Sequence, residues 1–427
     1  MDNSFSGEYH SPQLVCKVED KRLGFQGFLV IDTLLGGHCA GGVRVTPTVT
    51  VDEVAQLAHT MTKKFGFLNI CMGGAKAGIM IPDNKSREER NMIFRTFGER
   101  LGFILRNGIY YPGTDIGTSA NDIELMEKAA GIGSAANAED NNDSGYFTAL
   151  VAATVAKEIA KFAGIDFRKA KVGIEGFGKV GSTIADLITK ETTIIGISTI
   201  KGAMLNNKGL DIKKLIEIRK SYGDDIVSAY KDAETSSLDD LLASDSDILF
   251  LCGKPRVLNL ENLYKVKAKI VIGAGNLCFG SGVEEILYKR GIYVLPDFIT
   301  SCGGVLGLTL NGMGLSFDNI NKVVMGDFAA KINKFICLSL KNNQSPMKIA
   351  DDIVQKNLYK IRMKKDQKRE NMISRILRLL SKKEWRSLAA KIVVTTIPKH
   401  YYHFTKIQEL LLYQTREQFM IENELAD

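Results

Sequence analysis

The segment Lys171-Val172-Gly173-Ile174-Glu175-Gly176-Phe177-Gly178-Lys179-Val180-Gly181 confines the fold more than any other stretch of this 427-residue chain. A short β-rich run enters a Gly-x-Gly-x-x-Gly turn and leaves it as a helix. A second β-rich run, TTIIGIST at 192–199, follows. In that setting the three glycines have separate tasks. Gly176 makes the tight turn, Gly178 lets a pyrophosphate approach the backbone, and Gly181 lets helix and strand pack closely. The free N–H groups of the helix start, where Lys179 and Val180 stand, suit an anion. The runs DILFLC (247–252), AKIVIGAG (268–275) and GIYVLPDF (291–298) continue the alternation. This spacing predicts an α/β architecture with a parallel, doubly wound sheet, placed over residues 140–305.

The segment Met72-Gly73-Gly74-Ala75-Lys76-Ala77-Gly78-Ile79 is the second constraint. Its lysine has no acid within six positions on either side. Apolar surroundings cost an ammonium part of its hydration and lower its pKa toward the range of proton exchange. Gly41-Gly42-Val43-Arg44 and Lys64 lie upstream, and Pro112-Gly113-Thr114-Asp115-Ile116-Gly117-Thr118 lies downstream. Each has an ordinary reading: a solvated lysine in a turn, a cation at a helix C-terminus, an aspartate capping a Pro-Gly turn. Residues 14–45 read as two strands and a turn. TVDEVAQLAHTMTKKFGF from Thr50 reads as a capped helix ending near Lys64, and further helices are expected over 86–106, 122–130 and 146–163. The polar stretch EDNNDSG at 139–145 marks a domain boundary.

Composition is that of an ordinary soluble protein, with 45% apolar and 25% charged residues. Seven scattered cysteines, never spaced as CxxC, point to a reducing compartment such as the cytoplasm, with neither a disulfide framework nor a metal site. The N-terminus has no basic and apolar regions of the kind a signal peptide carries. The net charge of +7 is concentrated: residues 361–400 hold twelve Lys/Arg against three Asp/Glu. Apolar residues at helical spacing over 370–392, with the lone Trp385, make this a basic amphipathic extension. Three fates stay open for it: a helix docked on the core or a neighbouring subunit, a membrane-surface helix, or a nucleic-acid contact. His400 and His403 have a spacing seen in metal sites but lack further ligands, and no metal is expected.

The order of these motifs, from about Pro12 to about residue 330, resembles the amino-acid dehydrogenase superfamily acting on glutamate, leucine, phenylalanine or valine. The resemblance implies an N-terminal substrate domain (1–139), a Rossmann-type domain (140–305), helices returning to the substrate domain (306–360) and the basic extension (361–427). It implies reversible oxidative deamination of an L-amino acid to a 2-oxo acid and ammonia with NAD or NADP, in a homo-oligomer. By position, Lys64 would bind the substrate α-carboxylate, with Gly41 and Gly42 beside the substrate. Lys76 would polarise the substrate and activate water, and Asp115 would move protons to and from the nitrogen. Thr148 and Asn276 match residues near the nicotinamide and the cofactor.

Two departures from the family pattern bear on specificity. No acid follows the glycine loop at the expected distance. The strand ends instead in Thr199, Ile200 and Lys201, a hydroxyl and a cation that suit a 2′-phosphate and lean the choice toward NADP or dual use. Ala40 stands where glutamate-specific members carry a lysine, and Leu308 where they carry a serine. An unpaired side-chain carboxylate costs several kcal/mol to desolvate, so an apolar substrate is expected, as in the leucine/phenylalanine/valine branch. Glutamate is the alternative, because GGAKAGI and KGAMLNNKGLDI look like glutamate enzymes. A catalytically idle fold that binds or assembles through its basic tail is the other.

Overall fold

The computed structural model describes residues 11–133 and 144–381, with side chains described to residue 363. Two compact units emerge: residues up to 141 together with the stretch from Ile353 form one, and residues from Asn142 to Asp352 the other. The region of the expected boundary is described only from residue 144 onward. Trp385, His400 and His403 lie outside the described residues, as does the basic segment beyond 381.

The first unit is built on a five-stranded sheet, β1 (Leu14–Asp20), β2 (Phe25–Ile31), β3 (Cys39–Thr46), β4 (Gly73–Met80) and β5 (Tyr110–Thr114), in the order β1-β2-β4-β3-β5. Where sequence reading expected two strands over 14–45 there are three. β3 pairs parallel with both β4 and β5, and β2 pairs antiparallel with β4. The glycine-rich segment around Lys76 is thus a central strand with a neighbour on each edge, and not a turn. Helix α1 (Val51–Leu68) starts at Thr50, whose hydroxyl accepts from Glu53 N, and lies across this sheet. It can approach because β4 is nearly bare on that side: a Cβ on Gly74 would sit 2.2 Å from Thr62 N, and one on Gly78 would sit 2.5 Å from Val54 Cγ2. On the opposite face, α2 (Arg87–Arg100) and α3 (Ala120–Ala129) bury Phe94, Phe97 and Met126 against Ala75, Ala77 and Ile79.

The second unit opens with α4 (Ser144–Phe162) and holds seven strands: β6 (Lys171–Glu175), β7 (Thr193–Thr199), β8 (Gly202–Leu205), β9 (Glu234–Ser236), β10 (Ile248–Leu251), β11 (Ile270–Gly273) and β12 (Tyr293–Val294). Their order is β12-β11-β10-β6-β7-β8-β9. The five strands from β12 to β7 are parallel, and β8 and β9 extend that edge antiparallel. Helix α5 (Lys179–Ile188) follows the glycine loop.

Residues 306–352 stay with this second unit. Helix α6 (Gly303–Gly312) seats on α4 so closely that a Cβ on Gly303 would lie 2.0 Å from Phe147 O. Only from Ile353 does the chain join the first unit, part-way along the last helix, α7 (Pro346–Ser381). The expected borders at 305/306 and 360/361 therefore correspond to one change of unit inside a helix. None of the described helices is long and apolar enough to cross a membrane.

Candidate active site

Strand alternation sorts the side chains of the first unit into two populations. On β4, Ala75, Ala77 and Ile79 enter the apolar core, so Gly74, Lys76 and Gly78 fall on the face under α1. On β3, Val43 and Val45 are core residues, which leaves Gly42 and Arg44 on that same side. Asp115 follows the last residue of β5. Lys76 Nζ lies 2.7 Å from Asp115 Oδ2, and Arg44 Nε lies 3.1 Å from the same oxygen. Arg44 Nη1 also reaches Glu53 Oε1 at 2.7 Å, from the first turn of α1. Two cations and two carboxylates thus form one neutral network whose cations are nearly dry, with Lys76 3% exposed and Arg44 2% exposed, while the Glu53 side chain reaches solvent.

Burial pushes the Lys76 ammonium below the ordinary lysine range, the nearby Arg44 charge adds to the push, and Asp115 opposes it. Burial also works to raise the Asp115 carboxyl. Lys76 and Arg44 together outweigh burial and hold it well below the usual carboxylate range. The pair therefore combines a lysine eased toward losing a proton with a carboxylate held ionised beside it.

Gly42 is required beside this pair, because a Cβ there would sit 2.8 Å from Thr114 O, 2.9 Å from Asp115 Cβ and 3.1 Å from Lys76 Nζ. Its neighbour Gly41 accepts a hydrogen bond from the Tyr110 hydroxyl at 2.8 Å. Ala40 is half-buried in β3, and Lys64 is buried on α1, four residues before its end at Leu68.

Sequence reading left Glu53 unassigned and treated Arg44 only as part of a motif. The signal for Arg44 was a charge on the same strand face as Gly42 between two apolar core positions. Asp32 had no such signal. It directly follows β2 and accepts from Thr62 Oγ1 at 2.5 Å and Thr33 Oγ1 at 3.2 Å, with His59 Nδ1 at 3.2 Å from its other oxygen. These contacts outweigh the upward push of burial and lower its pKa. The Thr62 bond ties α1 to the sheet about half a turn before Lys64.

In the second unit the glycines of the loop differ in the space around them. Gly176 has φ +82° and its Cβ would lie 2.4 Å from Gly253 N, while a Cβ on Gly181 would lie 2.1 Å from Gly176 O. Around Gly178 a Cβ would meet nothing within 4 Å, and no side chain caps the α5 N-terminus there. Open space before free N–H groups fits a pyrophosphate. Buried Ser198 braces the loop, accepting from Phe177 N at 2.7 Å and from Gly176 N at 3.2 Å.

Lys179 is exposed, with its stem over Gly145, and Val180 is half-buried. The Thr148 hydroxyl donates to Ser144 O at 2.8 Å and accepts from Gly304 N at 3.1 Å, so it can still accept one further N–H. Asn276 is half-buried in the loop after β11. Thr199 and Lys201 do not present two free groups: the Thr199 hydroxyl donates to Asp224 O at 2.7 Å and accepts from Lys201 N at 3.1 Å, while the Lys201 side chain is exposed. Leu308 is 51% exposed on α6.

Comparison with known proteins extends over both units. Residues 142–316 match the family model for glutamate/leucine/phenylalanine/valine dehydrogenase, and residues 12–130 match the model for the dimerisation domain of Glu/Leu/Phe/Val dehydrogenases. The NADP-specific glutamate dehydrogenase of Saccharolobus shibatae is 33% identical over 285 residues, covering 64% of this chain and 67% of the relative. The glutamate dehydrogenase of Thermotoga maritima is 31% identical over 298 residues, covering 66% and 70%. Among solved structures, the leucine-bound hetero-hexameric glutamate dehydrogenase of Thermus thermophilus superposes with a TM-score of 0.69 at 21% identity, over 82% of this chain and 88% of that one. The L-tryptophan dehydrogenase of Nostoc punctiforme does so with a TM-score of 0.58 at 18% identity, over 83% and 97%.

Proposed function

Because this chain belongs to the glutamate/leucine/phenylalanine/valine dehydrogenase family, and so is an NAD(P)-dependent oxidoreductase acting on the CH–NH2 group of amino acids, we propose that it interconverts an L-amino acid with an apolar side chain and its 2-oxo acid through Lys64, Lys76 and Asp115. The observation that carries this reading is the buried contact of Lys76 Nζ with Asp115 Oδ2 at 2.7 Å.

In the proposed mechanism Lys64 pairs with the substrate α-carboxylate and fixes which end of the molecule faces the strands. Asp115, kept ionised by its two cations, takes a proton from the substrate ammonium. Lys76, eased by burial toward proton exchange, polarises the carbon–nitrogen centre and activates the attacking water; Asp115 then returns its proton to the nitrogen, the carbon–nitrogen bond breaks and ammonia leaves, while Lys76 stabilises the oxygen of the forming carbonyl. The nicotinamide, when bound, supplies the hydride acceptor for the α-carbon. Gly176, Gly178 and Gly181 with the start of α5 would hold its pyrophosphate, and Thr148 and Asn276 are assigned to its nicotinamide end.

NADP is the favoured cofactor. Support comes from the absence of any acidic side chain at positions 197–201, from exposed Lys201, and from the NADP-specific Saccharolobus relative. Ala40 and Leu308 support the apolar side chain, since neither offers a partner to a second substrate carboxylate. Glutamate is the second reading, favoured by the names of the Saccharolobus and Thermotoga relatives. Assembly into an oligomer is supported by the dimerisation-domain match and the hexameric Thermus structure. Residence in the cytoplasm is supported by seven scattered cysteines, none of them spaced as CxxC.

The test is the appearance of reduced nicotinamide with a panel of L-amino acids and both oxidised cofactors. Turnover of leucine, valine or phenylalanine but not glutamate is expected, faster with NADP+ than with NAD+, and turnover confined to glutamate overturns the apolar assignment. Lys76→Ala is expected to lower kcat by about 10²–10⁴-fold while leaving the NADP+ dissociation constant unchanged. Retention of full turnover by that variant would remove Lys76 from the chemistry.

A further inference from the structure

Helix α1 does not end unsupported. Its last turn closes at Asn69, whose backbone is left-handed (φ 58°) and whose N–H reaches Gly66 O at 3.1 Å. That carbonyl takes a second donor from far along the chain: Nδ2 of Asn357, on α7, lies 3.0 Å away. Asn357 is only 6% exposed. Its neighbours on the helix face close the gap left by the missing side chain of Gly66, since a Cβ there would lie 2.9 Å from Val354 Cγ1 and 3.2 Å from Leu358 Cγ. All of these groups belong to the first unit. Two residues of an α-helix are about 200° apart around its axis, so α7 backs this turn from the side opposite Lys64.

An amide in an otherwise apolar helix–helix seam is costly unless it is hydrogen-bonded, and leucine would fill the same volume without that requirement. What the amide adds is direction: it admits one rotation and one register of the turn, those that put Gly66 O in line with Nδ2. Asp32 performs the matching task one turn earlier by accepting from Thr62. Lys64 is held between the two restraints along the helix.

We propose that Asn357 is a positioning residue for amino-acid binding, fixing the turn that presents Lys64 through its hydrogen bond to Gly66. The C-terminal helix is on this account part of the substrate-binding machinery as well as a packing element. The proposal rests on the reading of Lys64 as the α-carboxylate partner.

The test uses the full chain with Asn357→Leu, which keeps volume but removes the donor, and Asn357→Ser, a milder lesion whose hydroxyl is too short to reach Gly66. Lys64→Met serves as the reference. Steady-state KM for the amino acid and the 2-oxo acid, kcat, the NADP+ dissociation constant and the melting temperature are measured for each. The Asn357 variants are expected to raise the amino-acid KM about five- to twentyfold, with kcat changed less than threefold and NADP+ binding unchanged. Lys64→Met should raise KM further. A lowered melting temperature with unchanged KM in the folded Asn357 variants, beside a raised KM in Lys64→Met, overturns the positioning role alone. An unchanged KM in Lys64→Met overturns the reading of Lys64 and the proposal with it, which tells the two failures apart.

Discussion

Arg44 and Lys76 share one oxygen of Asp115, at 3.1 and 2.7 Å, so the arginine sits as a third charge against the candidate catalytic pair. It lowers both partners: it stabilises the ionised Asp115 and disfavours the protonated Lys76. The other groups around the pair are Glu53, which offsets Arg44 from α1, and the Tyr110 hydroxyl, which is bonded to Gly41 O. Removing the guanidinium in Arg44→Met should therefore raise both pKa values. The pH profile of kcat/KM is expected to move to higher pH by about one unit or more, with Arg44→Lys restoring part of the shift. A lower but unshifted profile would reduce Arg44 to packing.

Asp115 also contributes to stability with a definite sign. Its folded pKa lies below its unfolded one of about 3.9, so its contribution is fully present above that value and is lost as pH falls toward the folded pKa. In Asp115→Asn, Lys76 and Arg44 remain buried without the shared carboxylate, and a loss of about 3–5 kcal/mol at pH 7 is expected. Denaturant titrations should show the gap between wild type and variant closing only in strong acid. A gap that is constant with pH would mean that packing and not charge accounts for it.

The pieces legible in the sequence were those whose signal is local. The loop from Gly176 to Gly181 declares its turn, its approach and its helix start within six residues, and the cap of α1 is written in Thr50 and Glu53. Lys76 and Asp115 were recognisable as a pair only through the resemblance, because the contact between them joins β4 to the loop after β5. Pairing is also what hid the strand around Lys76: glycine and alanine have low strand propensity, yet β2 and β3 hydrogen-bond both its edges while α1 lies on its bare face. Asp32 with Thr62, and Asn357 with Gly66, are long-range bonds without a motif, so neither could be read before the fold was known. The change of unit at 352/353 was missed because α7 continues through it without a break in helical pattern.

Gly42 provides a steric test of the pair. In Gly42→Ala the new Cβ meets Thr114 O at 2.8 Å and Asp115 Cβ at 2.9 Å, both tied to paired backbone, so the Asp115 carboxylate must move. A displacement approaching 1 Å costs about 10²-fold in rate, and the overpacking about 1–3 kcal/mol. The expected result is a folded protein with kcat reduced about a hundredfold and NADP+ affinity unchanged. Wild-type kcat in that variant would show that the pair tolerates displacement and that its close geometry is not needed.

Glu175 is a buried charged group that the proposed chemistry does not use. It ends β6 directly before Gly176, is 6% exposed, and accepts from Gly253 N at 2.9 Å. Burial raises its pKa above the ordinary range, against the lowering pull of the Gly253 and Cys252 N–H groups and Lys254. A carboxyl raised on folding costs stability as pH climbs from its unfolded pKa of about 4.3 through its folded one, and costs nothing in acid. Glutamine keeps an acceptor for Gly253 N without the charge. Glu175→Gln should therefore melt higher than wild type at pH 8, each kcal/mol recovered appearing as about 2–4 °C, with the advantage gone at pH 4. A variant that melts lower than wild type at pH 8 but not at pH 4 would show that the ionised carboxylate, and not merely an acceptor, is what Gly253 requires beside the phosphate loop.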